Sequence, residues 1–216
     1  SFYENVPVIN TNCRTAEMIK YASNALLATQ ISFANEIANL SSMIGNIDIV
    51  DVMKGVHSSE YLSPRLEDGR RVRAPIASFL EAGCGFGGSC LPKDVKALIA
   101  HGEKRGCMMP LLNAVIETNR RQPGEIIRLL EKHFIPLANT RITILGLSFK
   151  PDTDDMRESP AIPIIQALLE KGAILRAFDP IAEIEARKHF RSDQLYLCES
   201  LDEAIRGADG IILVTR

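Results

Sequence analysis

From Thr15 to Ile44 the chain runs without a single glycine or proline. The residues that most readily break a helix are missing from a stretch that would span on the order of 45 Å as α-helix. Gly45 supplies the stop, because glycine tolerates the left-handed conformation that ends helices. Thr15 is the expected N-cap, and Glu17 in the first turn suits the helix dipole. The apolar residues Met18, Ile19, Leu26, Leu27, Ile31, Phe33, Ile37, Leu40 and Ile44 fall on more than one face. A helix of this kind has to be covered on several sides. It reads as a spine between domains or across a dimer.

The rest of the first half is also helical. A short helix is expected from Asp48 to Lys54, with Ile49, Val52 and Met53 inward. Residues 56–88 are loop-rich and hold the basic cluster Arg65, Arg70, Arg71 and Arg73. Pro92 suits the first position of a helix ending near Gly102, and Pro110 opens another to Arg121. Pro123-Gly124 is the expected break before the next domain.

The period then changes. RITILG (141–146) reads as a buried strand, and Ser159 and Pro160 as the N-cap and N1 of a helix closed by Gly172. Strand 174–178, a helix over 181–190, strand 195–198, a short helix capped by Ser200 and strand 211–214 follow. Alternating strands and helices predict a parallel α/β layer. The expected fold class is therefore α/β: an irregular lead-in over 1–10, an all-helical central domain over 11–122, and a partial Rossmann-like domain over 125–216. The chain starts without Met and stops on an apolar strand, so it reads as trimmed at both ends.

A formal net charge of −2 gives no electrostatic reason to expect nucleic acid or an anionic membrane as partner. No apolar run approaches the roughly 20 residues of a membrane span. The five cysteines, Cys13, Cys84, Cys90, Cys107 and Cys198, include no pair at zinc-knuckle or redox-dithiol spacing. No metal is expected. The expected setting is reducing and cytoplasmic, with most of these thiols as small core residues.

Three stretches carry chemistry. In GCGFGGSCLPKD (83–94) the glycines let backbone approach a ligand and present N–H groups. Cys90 precedes the Pro92 helix start, where the positive dipole end favours a thiolate, and Lys93 adds to that field. Asp94 lies in the first turn and is a candidate base. Lys20 and Asn24 share a face of the long helix and can reach one ligand. GLSFKPDTDDMRESP (146–160) joins a strand end to a helix start, where open α/β sheets bind ligands. No G-x-G-x-x-G occurs in the chain. Each stretch also has a plain structural reading, as a tight loop over a buried thiol, a solvated stripe and an ion-paired loop.

The segment GFGGSCLPKD resembles the active-site motif of the UDP-glucose/GDP-mannose dehydrogenase family. TAEMIKYASNALLATQISFANEIA (15–38) resembles its central helix, and GLSFKPDTDDMRESPA (146–161) the entry to its C-terminal nucleotide-sugar domain. The resemblance covers nearly the whole chain, in order. It implies an NAD-dependent enzyme that oxidises a sugar 6-hydroxyl to a carboxylate, with UDP-glucose favoured and UDP-N-acetylhexosamine or GDP-mannose as alternatives. Cys90 then matches the nucleophile that captures the aldehyde as a thiohemiacetal and passes through a thioester. Lys20 and Asn24 match residues that stabilise the reacting oxygen, and Asp94 a carboxylate that assists or orients water. The backbone of Glu81, Ala82, Gly83, Cys84, Gly85, Phe86 and Gly87 matches the substrate loop, with Phe79 and Phe86 packing on the ligand. Phe149 and Lys150 match substrate contacts from the C-terminal domain; Lys93 and Arg157 are the cofactor-side cations. The family also implies a cytoplasmic homodimer through the central helices, and polysaccharide biosynthesis as the setting.

Two departures stand out. Ala82-Gly83-Cys84 replaces the family's usual Pro-Gly, and an arginine that reaches the partner's site has only Arg73 as a loose match, so it stays unassigned. The N-terminal NAD-binding domain is absent, and the chain alone is expected to be inactive. The rival readings are a non-catalytic nucleotide-sugar-binding or dimerisation module, and a hydroxyacid-type dehydrogenase with a lysine base.

Overall fold

The structure, a computed structural model, describes residues 8–191 and 195–215. Helix α1 (Cys13–Ile44) is the spine. Its cap lies three residues earlier than expected: Asn12 accepts from the Thr15 N–H at 2.9 Å. Asparagine and threonine both cap helices, and Asn12 takes the position because Thr15 is already helical. Residues 1–7 of the expected lead-in lie outside the described residues.

Asp48 caps α2 (Ile49–His57) through the Val50 and Asp51 N–H groups, and Met53 is its buried anchor. A 3-10 turn over Pro75–Phe79 leads into the glycine loop. Helix α3 (Leu91–Lys104) follows with Cys90 at its N-cap position. Helix α4 (Pro110–Glu131) runs through the break expected at Pro123-Gly124. Sequence put a boundary there because proline lacks an N–H and crowds the preceding turn. The helix continues because α4 packs on both α1 and α5, and that burial outweighs the lost bond.

The second half is a four-stranded parallel sheet of order β3-β2-β1-β4. Its strands are β1 (Arg141–Leu145), β2 (Ile174–Phe178), β3 (Leu195–Leu197) and β4 (Gly210–Leu213). Helices α5 (Ala161–Glu170), α6 (Glu183–His189) and α7 (Leu201–Ile205) make the crossovers. The N-cap of α5 is Pro160, one residue later than the expected Ser159, and the Ser159 hydroxyl accepts from the Ala161 N–H. Ile142, Ile144, Ile164, Ile165, Leu168 and Ala177 form the floor of the core beneath the sheet.

A second cluster (Ala25, Ala28, Phe86, Val95, Leu112, Val115) joins α1, α3 and α4 through the Phe86 ring. The opposite face of α1 is left open. Ile19, Leu26, Phe33 and Leu40, each seven residues from the next, are all exposed. Of the cysteines only Cys84 and Cys198 are buried. The expectation that most serve as core residues fails for Cys13 and Cys107, which sit at the α1 start and in a loop. Among the described residues no helix is long and apolar enough to cross a membrane.

Candidate active site

Asp94 is the centre. Its backbone N–H makes the first helical bond of α3, to the Cys90 carbonyl at 2.9 Å, so its carboxylate and the thiol belong to one turn. The carboxylate is fully buried and accepts from the Lys20 ammonium, from Asn24 Nδ2 at 2.5 Å and from Lys93 Nζ at 2.5 Å. Burial alone works against its charge; the bonds from Lys20, Lys93 and Asn24 outweigh it and hold the carboxyl at about 2. Asp94 is therefore a fixed anion that tethers two ammonium groups from two helices. Such an anion orients donors well and takes up protons poorly, which favours the orienting role over that of a base. Both ammonium groups also lie over the Tyr21 ring, at 5.3 and 5.5 Å.

Cys90 is exposed at the mouth of this cluster. Beside it Lys93 is raised first by the hydrogen bond to Asp94, and Arg157 first by the hydrogen bond to Asp155. Arg157 is exposed and folded back on Asp155, with its Nη2 at 2.6 Å. Lys96 of α3 reaches Glu158 at 3.0 Å. The α/β layer thus supplies charge to the cysteine turn.

The glycine loop is held from two sides. At its C-terminal end the Gly88 N–H donates to the Arg157 carbonyl at 2.7 Å, and the Phe149 ring covers Gly88 so closely that a Cβ there would lie 2.5 Å from it. Lys150 stands beside that ring, Nζ 5.5 Å from its centroid. At the N-terminal end four amide side chains that sequence reasoning passed over take hold. Asn35 Oδ1 accepts from the Gly83 N–H at 2.7 Å, and Gln122 Nε2 donates to the Gly83 carbonyl at 2.8 Å. Asn39 Nδ2 in turn donates to Gln122 Oε1. Asn119 spans Phe86, accepting from its N–H at 2.8 Å and donating to its carbonyl at 2.9 Å. The overlooked signal was spacing: Asn35 with Asn39, and Asn119 with Gln122, put pairs of amides on single helix faces.

The Phe86 ring, expected to pack on a ligand, is a buried core side chain here, and its N–H donates to Asn119. Cys84 is likewise buried, and burial pushes its thiol up to about 11. Phe79 is half-buried at the loop entrance, while Glu81, Ala82 and Gly83 are open. Arg73 donates to His57 Nδ1 at 2.7 Å and lies 3.8 Å from Glu81.

Helices clasping a glycine-rich cysteine loop against a parallel α/β layer make up the architecture of the nucleotide-sugar dehydrogenases. The structure of a UDP-glucose dehydrogenase from Pyrobaculum islandicum superposes with a TM-score of 0.84 at 35% identity, covering 98% of this chain and 45% of that one. UDP-D-ManNAc dehydrogenase from Pyrococcus horikoshii matches with a TM-score of 0.68 at 28% identity, over 95% of this chain and 43% of its own. In sequence, UDP-glucose 6-dehydrogenase YwqF of Bacillus subtilis is 39% identical over 97% of this chain and 44% of its own length. Residues 14–121 match the central domain, and 143–216 the UDP-binding domain, of the UDP-glucose/GDP-mannose dehydrogenase family. The chain belongs to that family. It spans less than half the length of the relatives it matches.

Proposed function

We propose that this chain carries the nucleophile and much of the substrate cleft of an NAD-dependent nucleotide-sugar 6-dehydrogenase, with UDP-glucose as substrate. One observation carries the reading: an exposed thiol at a helix N-terminus, one turn from a buried carboxylate that anchors Lys20, Asn24 and Lys93. Relatives that act on UDP-glucose support the substrate. UDP-N-acetylhexosamines and GDP-mannose remain alternatives that the same site chemistry accommodates.

In this reading Lys20 and Asn24 hold the sugar's 6-oxygen and stabilise negative charge that develops on it. Once the 6-carbon is an aldehyde, the Cys90 sulfur adds to it and the oxygen takes up a proton, giving a thiohemiacetal. Loss of hydride and of that proton leaves a thioester. Water then breaks the carbon–sulfur bond, releasing the acid and the thiol. Asp94 stays ionised throughout, keeping Lys20 and Asn24 on the oxygen and Lys93 on the cofactor side. NAD, when bound, accepts the two hydrides. The exposed cations Lys93 and Arg157 fit its negative charge, while the glycine fingerprint that cradles a dinucleotide is not in this chain. Phe149, Lys150 and the backbone of 81–87 line the sugar and diphosphate path. The exposed thiols fit a cytoplasmic setting. The open Ile19–Leu26–Phe33–Leu40 stripe of α1 fits a homodimer through the central helices.

The test uses the full-length parent. Cys90→Ser is expected to abolish acid formation; near-normal turnover would reject covalent chemistry and leave the lysine-base reading. The isolated chain is expected to form no NADH from UDP-glucose and NAD. Measurable formation would overturn that expectation.

A further inference from the structure

The four helix amides lie outside the chemistry just described, yet they decide where the glycine loop runs. Gly83 and Phe86 are three residues apart, and each has both its N–H and its carbonyl bonded to helix side chains. Asn119 alone does this for Phe86, in the two-point manner of a neighbouring strand. Between them Gly85 adopts a φ of +112°, and a Cβ there would come within 2.8 Å of Asn119 Oδ1. Glycine at 85 is thus required both by the turn and by the clamp. The N–H groups of Cys84 and Gly85 donate to nothing among the described residues.

The amides do this at a cost to the fold. Asn35 is wholly buried and its Nδ2 has no partner among the described residues. An orphaned buried donor is destabilising, so what Asn35 delivers is its acceptor for Gly83. Gln122 is also buried, and it holds the Gly83 carbonyl only because Asn39 orients its oxygen. A loop that merely needed packing would have been served by apolar side chains.

We propose that Asn119 and Gln122, backed by Asn35 and Asn39, are positioning residues. As two side-chain clamps they fix the peptide planes of residues 83–86, and so set where Cys90 stands against the Lys20–Asp94–Asn24 cluster. The proposal rests on Cys90 being the nucleophile. Loop and thiol are separated by only three residues, and the far end is tied to the Arg157 carbonyl. With the clamps removed, the Phe86 ring and the Gly88 tie still hold the loop, but its peptide planes are free to tilt.

The test follows iodoacetamide alkylation of the native 216-residue chain by mass spectrometry, with exposed Cys107 as internal reference. In the wild type Cys90 is expected to react faster than Cys107. Asn119→Leu keeps the bulk and removes both bonds; the Cys90-to-Cys107 ratio is expected to fall at least fivefold with the circular dichroism unchanged. Asn119→Asp, which keeps the acceptor for the Phe86 N–H, is expected to recover part of the ratio. An unchanged ratio in a folded Asn119→Leu chain overturns the clamp and leaves Cys90 chemistry intact. A wild-type ratio near one overturns both. Should Asn119→Leu fail to fold, amide exchange of the wild type decides the matter. The Phe86 N–H is expected to exchange at least tenfold more slowly than the Gly85 N–H, and equal rates overturn the clamp.

Discussion

Gly87→Ala puts the seam between the helices and the α/β layer to a quantitative test. No positive φ constrains Gly87, so alanine suits its backbone and the whole cost is steric. The added Cβ would overlap the Glu158 carbonyl oxygen, with the carbonyl carbon at 2.7 Å and Ser159 Cα at 3.1 Å. These are backbone atoms, and they have little room to yield. Glu158 already sits in the left-handed region at φ 51°. Its neighbour Arg157 accepts the Gly88 N–H, and the Ser159 N–H is bonded to the Met156 carbonyl. Making room costs about 1–3 kcal/mol for overpacking, and about 1 kcal/mol more if the Gly88 bond is lost. At about 2–4 °C per kcal/mol for a chain of this size, Tm should fall by roughly 2–16 °C. Gly124→Ala is the control. Inside α4, with nothing within 4 Å of its Cβ, it should stabilise by about 0.5–1 kcal/mol. Thermal melts by circular dichroism measure both. A Gly87→Ala chain within about 0.5 kcal/mol of wild type, the scatter of ordinary surface changes, would refute the close approach.

Other perturbations probe other links. Asp94, held at about 2 against its ordinary 3.8, contributes stability that is fully present above about pH 4 and lost as pH falls through 2. Asp94→Asn should flatten that acid limb in pH-dependent urea titrations and cost about 1–3 kcal/mol near neutrality, because an amide N–H₂ meets the lysine donors. Asp179 accepts from the N–H groups of Leu147, Ser148, Ile181 and Ala182, and Asp179→Ala should cost about 2–4 kcal/mol by denaturant midpoint. Phe33→Glu, in the middle of the open α1 stripe, should shift the sedimentation profile from dimer to monomer without lowering helix content. An unchanged profile would place any dimer elsewhere.

Where the fold was legible, a local rule and the tertiary context agreed. Gly45 ended α1 and Gly172 followed α5, both at positive φ. The β2 bounds 174–178 match the apolar run between two breaks. Where the two disagreed, packing decided. Pro123 sits inside α4 because the turns beyond it contribute Ile127, a buried member of the sheet's core cluster, and stopping the helix would leave that side chain uncovered. Nothing local to residues 121–125 encodes that cluster, which is assembled from strands more than a dozen residues downstream.

The site divides along the same line. Cys90, Lys20, Asn24 and Asp94 stand out through the motifs that carry the family resemblance; their spacing alone leaves a plain structural reading open for each. The structure brings Lys20 and Asn24 to Asp94 across about seventy residues of chain, through the packing of α1 on α3. The amides holding the loop announce little beyond their spacing, since an asparagine on a helix is ordinarily solvated. Their partners are peptide groups 33–48 residues away, and peptide groups look alike in any sequence. The side that Phe86 takes is illegible for the related reason that an aromatic ring in a glycine loop has two possible sides. Only the packing of Ala25, Ala28, Val95, Leu112 and Val115 fixes which side it takes. That ring anchors the loop inward and Asn119 squares its peptide. What is left open over 83–90 is Gly83 and the Cys90 thiol, with Gly85 and Ser89 half-buried, and in the proposed function a loop with so few outward side chains holds the sulfur close to a sugar without obstructing it.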